Sequence, residues 1–353
     1  MKAALVRSPN DGYFDLVDDW QPRPLGINQA LVNVEYCGLC HTDLHGAFGR
    51  FGDPNKIGTR NGKYRRVTGH EGVGKVAKLG PGADKYLKVG DRVSIAFFYD
   101  ADGTCQYCVT GNETFCPNVR FSGLSVDGAM SQQVIVDAPY AVKVPQNLNP
   151  VYATSIACAG LTVYKALKVG HTKPGSWVSI HGLGGLGNLA VQYAAHVFGA
   201  RVVAIDGNPD KLKAAKENGA EVLINRKKPR IDVPGEIQKQ VGGVKVAIIT
   251  AVSQPAFKQA ISSLATLGTA VSVAFPKGDM SLNIAQTALS GISVKGTLVG
   301  TRQDLKEAFA FGAAGKVKPI VQTVDFSTLN QVAADMYAGK ITGRKVVDFT
   351  RLN

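Results

Sequence analysis

No stretch of these 353 residues approaches the roughly 18–20 consecutive apolar residues of a membrane-spanning helix, so the sequence carries no membrane-anchor signal. The opening Met1-Lys2-Ala3-Ala4-Leu5-Val6-Arg7 is too short in apolar residues to act as a secretory leader, and the cytoplasm is the expected compartment. Internal repeats and low-complexity tracts are missing too, which sets aside solenoids and disordered linkers. Acidic residues are outnumbered, 27 against 40 Lys and Arg, for a net charge of +13. The basic clusters Lys63–Arg66 and Arg226–Arg230 are nevertheless short and far apart, with neither interleaved aromatics nor a recognition-helix pattern. A solvated surface and an anionic small ligand account for the excess charge, and nucleic acid is not the expected partner.

Cysteine is sparse. Cys37, Cys40, Cys105, Cys108, Cys116 and Cys158 all fall in the first 158 residues. A secreted disulfide framework would be shorter and carry a leader, whereas Cys-x-x-Cys spacing fits thiolates converging on one metal ion in a reducing compartment. Hydrophobic residues at 45% and charged residues at 19% describe a globular chain and not a disordered one, long enough for two domains. Forty glycines against 16 prolines point to many tight turns.

The first 150 residues or so are β-rich. Strand-like alternation runs through Ala30–Tyr36, Gly72–Leu79, Arg92–Phe98 and Gln133–Val136, broken by Gly and Asp turns. After a long helical stretch, Val151–Val169, strands and helices alternate. The strands are expected at Trp177–His181, Arg201–Asp206, Glu221–Asn225, Lys245–Thr250, Thr269–Phe275 and Ser293–Val299. The helices are expected at Leu186–Phe198, Pro209–Asn218, Ile231–Gln240 and Pro255–Leu267. This rhythm requires a parallel sheet covered on both faces, an α/β doubly wound domain. Helices around Gln303–Ala314 and Ser327–Gly339 precede a last strand, Lys345–Phe349, whose natural host is the β-rich first part.

Two sets of residues carry chemistry. The first is Gly182-Leu183-Gly184-Gly185-Leu186-Gly187, which leaves the strand Trp177–His181 and opens a helix. Gly-rich turns alone are weak signals, but this one has Asp206 at the end of the next strand, about 19 residues beyond Gly187. That is the dinucleotide fingerprint. Gly182 allows the tight turn, Gly184 lets the backbone approach the pyrophosphate, and Gly187 lets helix and strand pack, while the helix N-terminus faces the phosphates. Asp206 would accept the ribose hydroxyls and repel a 2′-phosphate, favouring NAD over NADP, with Lys211 near the same ribose.

The second set is Cys40-His41-Thr42-Asp43-Leu44-His45, Gly69-His70-Glu71-Gly72 and the distant Cys158. Thiolates with an imidazole suit Zn²⁺, and three protein ligands with one open position make a catalytic site. Spacing alone does not choose among these Cys and His residues.

Taken with Cys158-Ala159-Gly160-Leu161-Thr162-Val163-Tyr164 and Gly343-Arg344-Lys345-Val346-Val347-Asp348, these motifs make nearly the whole chain resemble the zinc-dependent medium-chain alcohol dehydrogenases, especially the shorter microbial ethanol dehydrogenases. The resemblance implies a GroES-like catalytic domain at 1–159, a Rossmann domain at 160–294 and a return to the catalytic domain at 295–353. It also implies that Cys40, His70 and Cys158 hold a catalytic zinc, that Glu71 can approach it, and that Asp43 orients His70. Thr42 and His45 match the family's proton relay. His41 and Arg344 match groups that meet the cofactor pyrophosphate, and Gly185 and Leu186 lie in the cofactor loop. Cys37 matches no ligand and reads as a small buried residue or a reserve thiol.

Cys105, Cys108 and Cys116 resemble the family's second zinc lobe, whose first position here is Asp102. A carboxylate is an acceptable fourth ligand, so two zinc ions per subunit are expected, although a lobe without metal is the competing reading. By the same resemblance Phe48, Phe97 and Leu298 line a narrow alcohol pocket suited to short primary alcohols, with Arg50 and Phe51 near its mouth. The expected partner is a small alcohol or aldehyde, and the expected assembly is a homotetramer. Two alternatives belong beside this. A zinc-free reductase of the same fold would keep Gly182–Gly187 without needing Cys40, His70 and Cys158. A basic zinc-ribbon binding protein would leave the dinucleotide loop unexplained.

Overall fold

A computed structural model of the chain describes residues 1–6, 13–50 and 66–352. Arg7, Lys63–Arg65 and Phe51–Tyr64, which figured in the sequence reading, lie outside the described residues. The chain divides into two compact units. One comprises Met1–Cys158, Thr301–Ala313 and Pro319–Asn353, and the other Ala159–Gly300 with Ala314–Lys318.

The first unit is built on a seven-stranded sheet. Its central strand, Gln29–Gly38, alternates buried and outward residues and pairs antiparallel with Glu71–Leu79, Gln133–Asp137 and Arg344–Asp348. Arg92–Ile95, Val142–Lys143 and Val321–Val324 complete the sheet. The late strand thus returns to the β-rich part, with Val346 opposite Gly38. Behind it lies a core that includes Val32, Val34, Leu39, Leu44, Met130, Phe326 and Phe349, all buried.

The second unit holds six strands, all parallel. In spatial order they are Ala220–Asn225, Arg201–Asp206, Trp177–His181, Val244–Ile249, Leu264–Ser272 and Ser293–Gly296. The order reverses beside Trp177–His181, which is the strand that feeds the Gly loop. That is the Rossmann arrangement, with its ligand crevice at the switch point. Val203, Ile205, Ala247 and Ile249 on one face pack against Ile237 and Phe257.

Three expectations are corrected by the strands. The helix expected over Pro255–Leu267 ends at Ser262, because Leu264 already pairs with Val244 and the chain kinks before Thr269 rejoins the ladder opposite Val246. The strand expected over Arg92–Phe98 is split, since Phe98–Asp100 pairs instead with Arg120–Phe121. A domain boundary after residue 294 would cut Ser293–Gly296, which is laddered to Leu264–Ser272, and the second unit runs on to Gly300. Among the described residues no helix is long and apolar enough to cross a membrane.

Candidate metal centre and dinucleotide loop

In the first unit, the thiols of Cys40 and Cys158, an imidazole nitrogen of His70 and a carboxylate oxygen of Glu71 lie within 4.8 Å of one another, all on buried residues. Each comes from a different local device. Cys40 is the N-cap of the helix His41–Ala47. His70 and Glu71 stand at the start of Glu71–Leu79, just after Gly69, whose φ of +96° turns the chain into the strand. Cys158 lies in a π-helical turn, Ile156–Gly160, following the helix Pro150–Ser155. Such a turn re-aims a side chain that regular winding would point elsewhere, and it recurs at functional sites.

The spacing fits zinc. Tetrahedral coordination at about 2.3 Å to sulfur and 2.0–2.1 Å to nitrogen would set the sulfurs roughly 3.8 Å apart and sulfur to nitrogen roughly 3.6 Å. The observed separations are 3.9 Å between Cys40 Sγ and Cys158 Sγ, and 3.4 Å between Cys158 Sγ and His70 Nε2. Both Glu71 oxygens are buried without a hydrogen-bond partner, as are Nε and Nη2 of Arg344, whose Nη2 stands 3.5 Å from Glu71 Oε1. Buried charges left unsatisfied by the protein's own donors are costly unless something else completes them.

Asp43 organises the cluster. Its Oδ2 accepts from Cys40 N at 2.9 Å, and its Oδ1 accepts from Gly69 N at 3.1 Å and Thr68 Oγ1 at 3.2 Å. The same Oδ1 lies 3.0 Å from His70 Nδ1. One carboxylate therefore ties the helix start to the turn before His70 and fixes the imidazole with Nε2 turned to the thiols. Gly38 is required here for room, since a Cβ would come within 2.3 Å of Glu71 Oε2.

Electrostatics follow from this burial. The Cys40 thiol is drawn well below the ordinary thiol range by its hydrogen bond with Cys158 and the nearby charge of Arg344, against the cost of burial. Cys158 is pushed up by that same hydrogen bond and by burial. Burial opposes charge on His70, yet the Asp43 carboxylate outweighs it and raises the imidazole. Burial lifts Glu71 to about 7 despite Arg344. His45 and His41, on the helix after Cys40, are both lowered, chiefly by burial.

The other expected residues fall as follows. Thr42 is half-buried on the same helix, three residues before His45. Phe97 meets His70 edge-on with centroids 5.1 Å apart, and it stacks on Phe121 at 4.5 Å. Phe121 has no motif of its own and escaped the sequence reading. Phe48 packs against Tyr337, and Leu298 belongs to the second unit. Arg344 stands beside Glu71 and the thiols, and Cys37 is fully buried.

Asp102, Cys105, Cys108 and Cys116 form a second four-donor cluster, more exposed than the first. Cys105 Sγ and Cys108 Sγ are 3.6 Å apart, and Cys116 Sγ is 3.2 Å from Asp102 Oδ2. Asp102 Oδ1 accepts from the backbone of Thr104 and Cys105, while Asn118 Nδ2 donates to Oδ2. These bonds hold the carboxylate ionised, well below its usual range. The turn Glu113–Phe115 beside the cluster is fastened by Arg302, which donates to both Glu113 oxygens and lies over the Tyr140 ring at 4.1 Å. Nothing local in the sequence marks that clamp.

In the second unit Gly182 has a φ of +97°, and a Cβ on Gly187 would lie 1.8 Å from Gly182 O. Both positions are therefore closed to other residues. A Cβ on exposed Gly184 would meet nothing within 4 Å, which leaves its backbone open to a phosphate group. Gly184 caps the helix Gly185–Gln192, so the free N–H groups of Gly185, Leu186 and Gly187 point out of that end. Asp206 Oδ2 accepts from Leu183 N at 2.7 Å and Oδ1 from Asn208 N at 2.9 Å. Thr250, absent from the sequence reading, pins the loop from the next strand by donating to Gly182 O at 2.7 Å. Lys211 stands in the first turn of the helix Pro209–Glu217 that follows Asp206.

Comparison with known proteins agrees with this geometry. Residues 185–314 match the family model of zinc-binding dehydrogenases, and residues 26–146 match that of the alcohol dehydrogenase GroES-like domain. The fold is similar to the alcohol dehydrogenase of the archaeon Aeropyrum pernix, at 29% identity, TM-score 0.86, covering 99% of this chain and 100% of that one. It is similar as well to a cinnamyl alcohol dehydrogenase of Sorghum bicolor, at 27% identity and TM-score 0.85 over 100% and 98% of the two chains. An acetophenone reductase of Geotrichum candidum, solved in complex with NAD, is 26% identical with TM-score 0.85 over 99% and 98%. With both domain types matched and both donor clusters in place, the chain belongs to the zinc-type medium-chain alcohol dehydrogenase family.

Proposed function

We propose that the protein is a zinc- and NAD-dependent dehydrogenase that interconverts short primary alcohols and aldehydes. The observation that carries this is the buried set of Cys40, His70 and Cys158, spaced for tetrahedral zinc and aligned by Asp43. These three residues would hold the metal, with Glu71 able to approach it. When bound, zinc supplies the Lewis acidity that acidifies the alcohol hydroxyl, and the dinucleotide supplies the hydride acceptor. Thr42 Oγ1 would accept the hydroxyl proton as it releases its own, and His45, three residues further on, would be the end of the relay rather than its direct neighbour. Burial lowers His45, which favours the neutral imidazole, the form able to accept a proton. Phe48 and Phe97 would line the substrate slot, with Phe121 backing Phe97. Two bulky aromatics favour short, unbranched substrates.

Gly182–Gly187 and Asp206 would hold the dinucleotide, with His41 and Arg344 toward its pyrophosphate and Lys211 toward its ribose. The carboxylate of Asp206 favours NAD over NADP. Asp102, Cys105, Cys108 and Cys116 would hold a second, structural zinc. A homotetramer completes the proposal and rests on the family resemblance alone.

The test combines metal analysis of Cys40→Ser with NADH fluorescence and initial rates on an alcohol and aldehyde panel. The variant is expected to lose one zinc and nearly all turnover while retaining NADH binding, because Gly182–Gly187 and Asp206 belong to another unit. Full turnover in a variant lacking that zinc would overturn the assignment.

A further inference from the structure

Gly207 follows Asp206 directly, and its surroundings are not empty. A Cβ built on it would meet Cγ, Cδ and Cε of Lys227 at 2.8–3.0 Å. The aliphatic stem of Lys227 therefore lies across the backbone immediately after the residue that reads the adenosine ribose. Two bonds fix this lysine's chain position. Arg226 N donates to Asp206 O at 3.0 Å, and Lys227 N donates to Asn225 Oδ1 at 2.9 Å. The turn after the strand Ala220–Asn225 is thereby stitched to the end of Arg201–Asp206, its neighbour in the sheet. Among the described residues no carboxylate pairs with the Lys227 ammonium, although Asp206 lies one residue from the glycine it covers.

We infer that Lys227 meets the 2′ position of the adenosine ribose, and that it softens the exclusion of a 2′-phosphate imposed by Asp206. The inference rests on reading Gly182–Gly187 and Asp206 as the dinucleotide site. A lysine whose stem crosses Gly207 would carry its point charge beside the place the extra phosphate of NADP takes. Asp206 still favours the hydroxyl form, because its carboxylate closes the strand beside the Gly loop, where it accepts from Leu183 N. The two residues oppose one another at the 2′ position, so the enzyme prefers NAD without rejecting NADP outright. The cluster Arg226–Arg230 thereby gains a role that surface solvation does not give it. Gly207 belongs to the same device, since any side chain there would expel the lysine.

The experiment measures dissociation constants of NADH and NADPH by nucleotide fluorescence, and those of 5′-AMP and 2′,5′-ADP by calorimetry, on the full-length protein. These ligands report on the adenosine end whatever the state of the catalytic metal. Lys227→Ala is expected to weaken NADPH relative to NADH, and 2′,5′-ADP relative to 5′-AMP, by about tenfold, the scale of one partly exposed charge-assisted bond. Gly207→Ala should reproduce that change without touching the lysine's chemistry. Its φ is not in the left-handed region, and its Cβ displaces only a flexible stem. Asp206→Gly should move both ratios the opposite way. Ratios unchanged in Lys227→Ala and Gly207→Ala, with Asp206→Gly behaving as expected, would overturn the role of Lys227 and leave the dinucleotide site standing. Failure of the wild-type protein to bind 5′-AMP or NADH would overturn the site itself.

Discussion

His181 ends the strand Trp177–His181 one residue before the nucleotide loop, and replacing it isolates a single proton. The ring is buried between the ladders to Ile205 and Ile249, where, among the described residues, only Ser179 Oγ, 3.1 Å from Nε2, offers it a polar partner. Nδ1 has none, and burial alone pulls the imidazole down to about 3 from an ordinary 6.5. The folded state therefore holds fewer protons than the unfolded chain between those values. With a depressed histidine the stabilisation is fully present above about 6.5 and drains away as pH falls toward 3. At pH 5 the unfolded histidine is almost fully charged and the folded one almost wholly neutral. The loss is then about 1.5 units at ~1.4 kcal/mol each, or roughly 2 kcal/mol relative to pH 8. That figure depends on the unfolded value and hardly on the folded one, provided the latter lies well below 5. Urea unfolding followed through Trp177, in a Trp20→Phe background, reads the stability of the unit that contains His181. His181→Leu removes the titration, so its decline from pH 8 to pH 5 should be about 2 kcal/mol smaller than that of the parent. Parallel declines within 0.5 kcal/mol would refute a neutral buried histidine.

Other expectations concern the metals. Asp43→Asn keeps the shape but removes the charge that orients His70, and zinc retention under a chelator should weaken by about 10- to 100-fold. Retention equal to the parent would mean that Asp43 serves only the helix start. Native metal analysis should find two zinc ions per chain, and Cys105→Ser should leave about one, with thermal stability reduced and turnover partly kept. Asp102→Ala should speed release of that same zinc. Unchanged release would identify another fourth ligand.

Much of this was legible in the residues. The alternation of Arg201–Asp206, Glu221–Asn225 and their neighbours with amphipathic helices dictated the parallel sheet, and Gly182–Gly187 dictated the loop, because local periodicity and glycine sterics act over a few residues. The end of the helix before Leu264 was not legible, since Leu264 and Leu267 satisfy both a helical and an extended pattern until Val244 arrives to pair with one of them. Long-range fits were equally hidden. Arg302 reaches Glu113 across 189 residues, and the need for a glycine at position 38 follows from the carboxylate of Glu71 on the neighbouring strand. The donor set around His70 was readable as a list of ligand types, and only the family resemblance chose among them. The distances that suit zinc depend on a π-helical turn at Cys158 that no spacing rule announces.

The strand Arg344–Asp348 has a consequence for how the molecule is made. It pairs with Gln29–Gly38, which leaves the ribosome about 300 residues earlier. At roughly 5–20 residues per second, a nascent chain waits on the order of 15–60 seconds for that partner. The second unit is nearly contiguous and can complete its sheet during that interval. The thiols of Cys40 and Cys158 are already synthesised but lack Arg344 beside Glu71. The charge that faces Glu71 and lowers the Cys40 thiol thus arrives last, and this donor cluster is complete only once the final strand has docked.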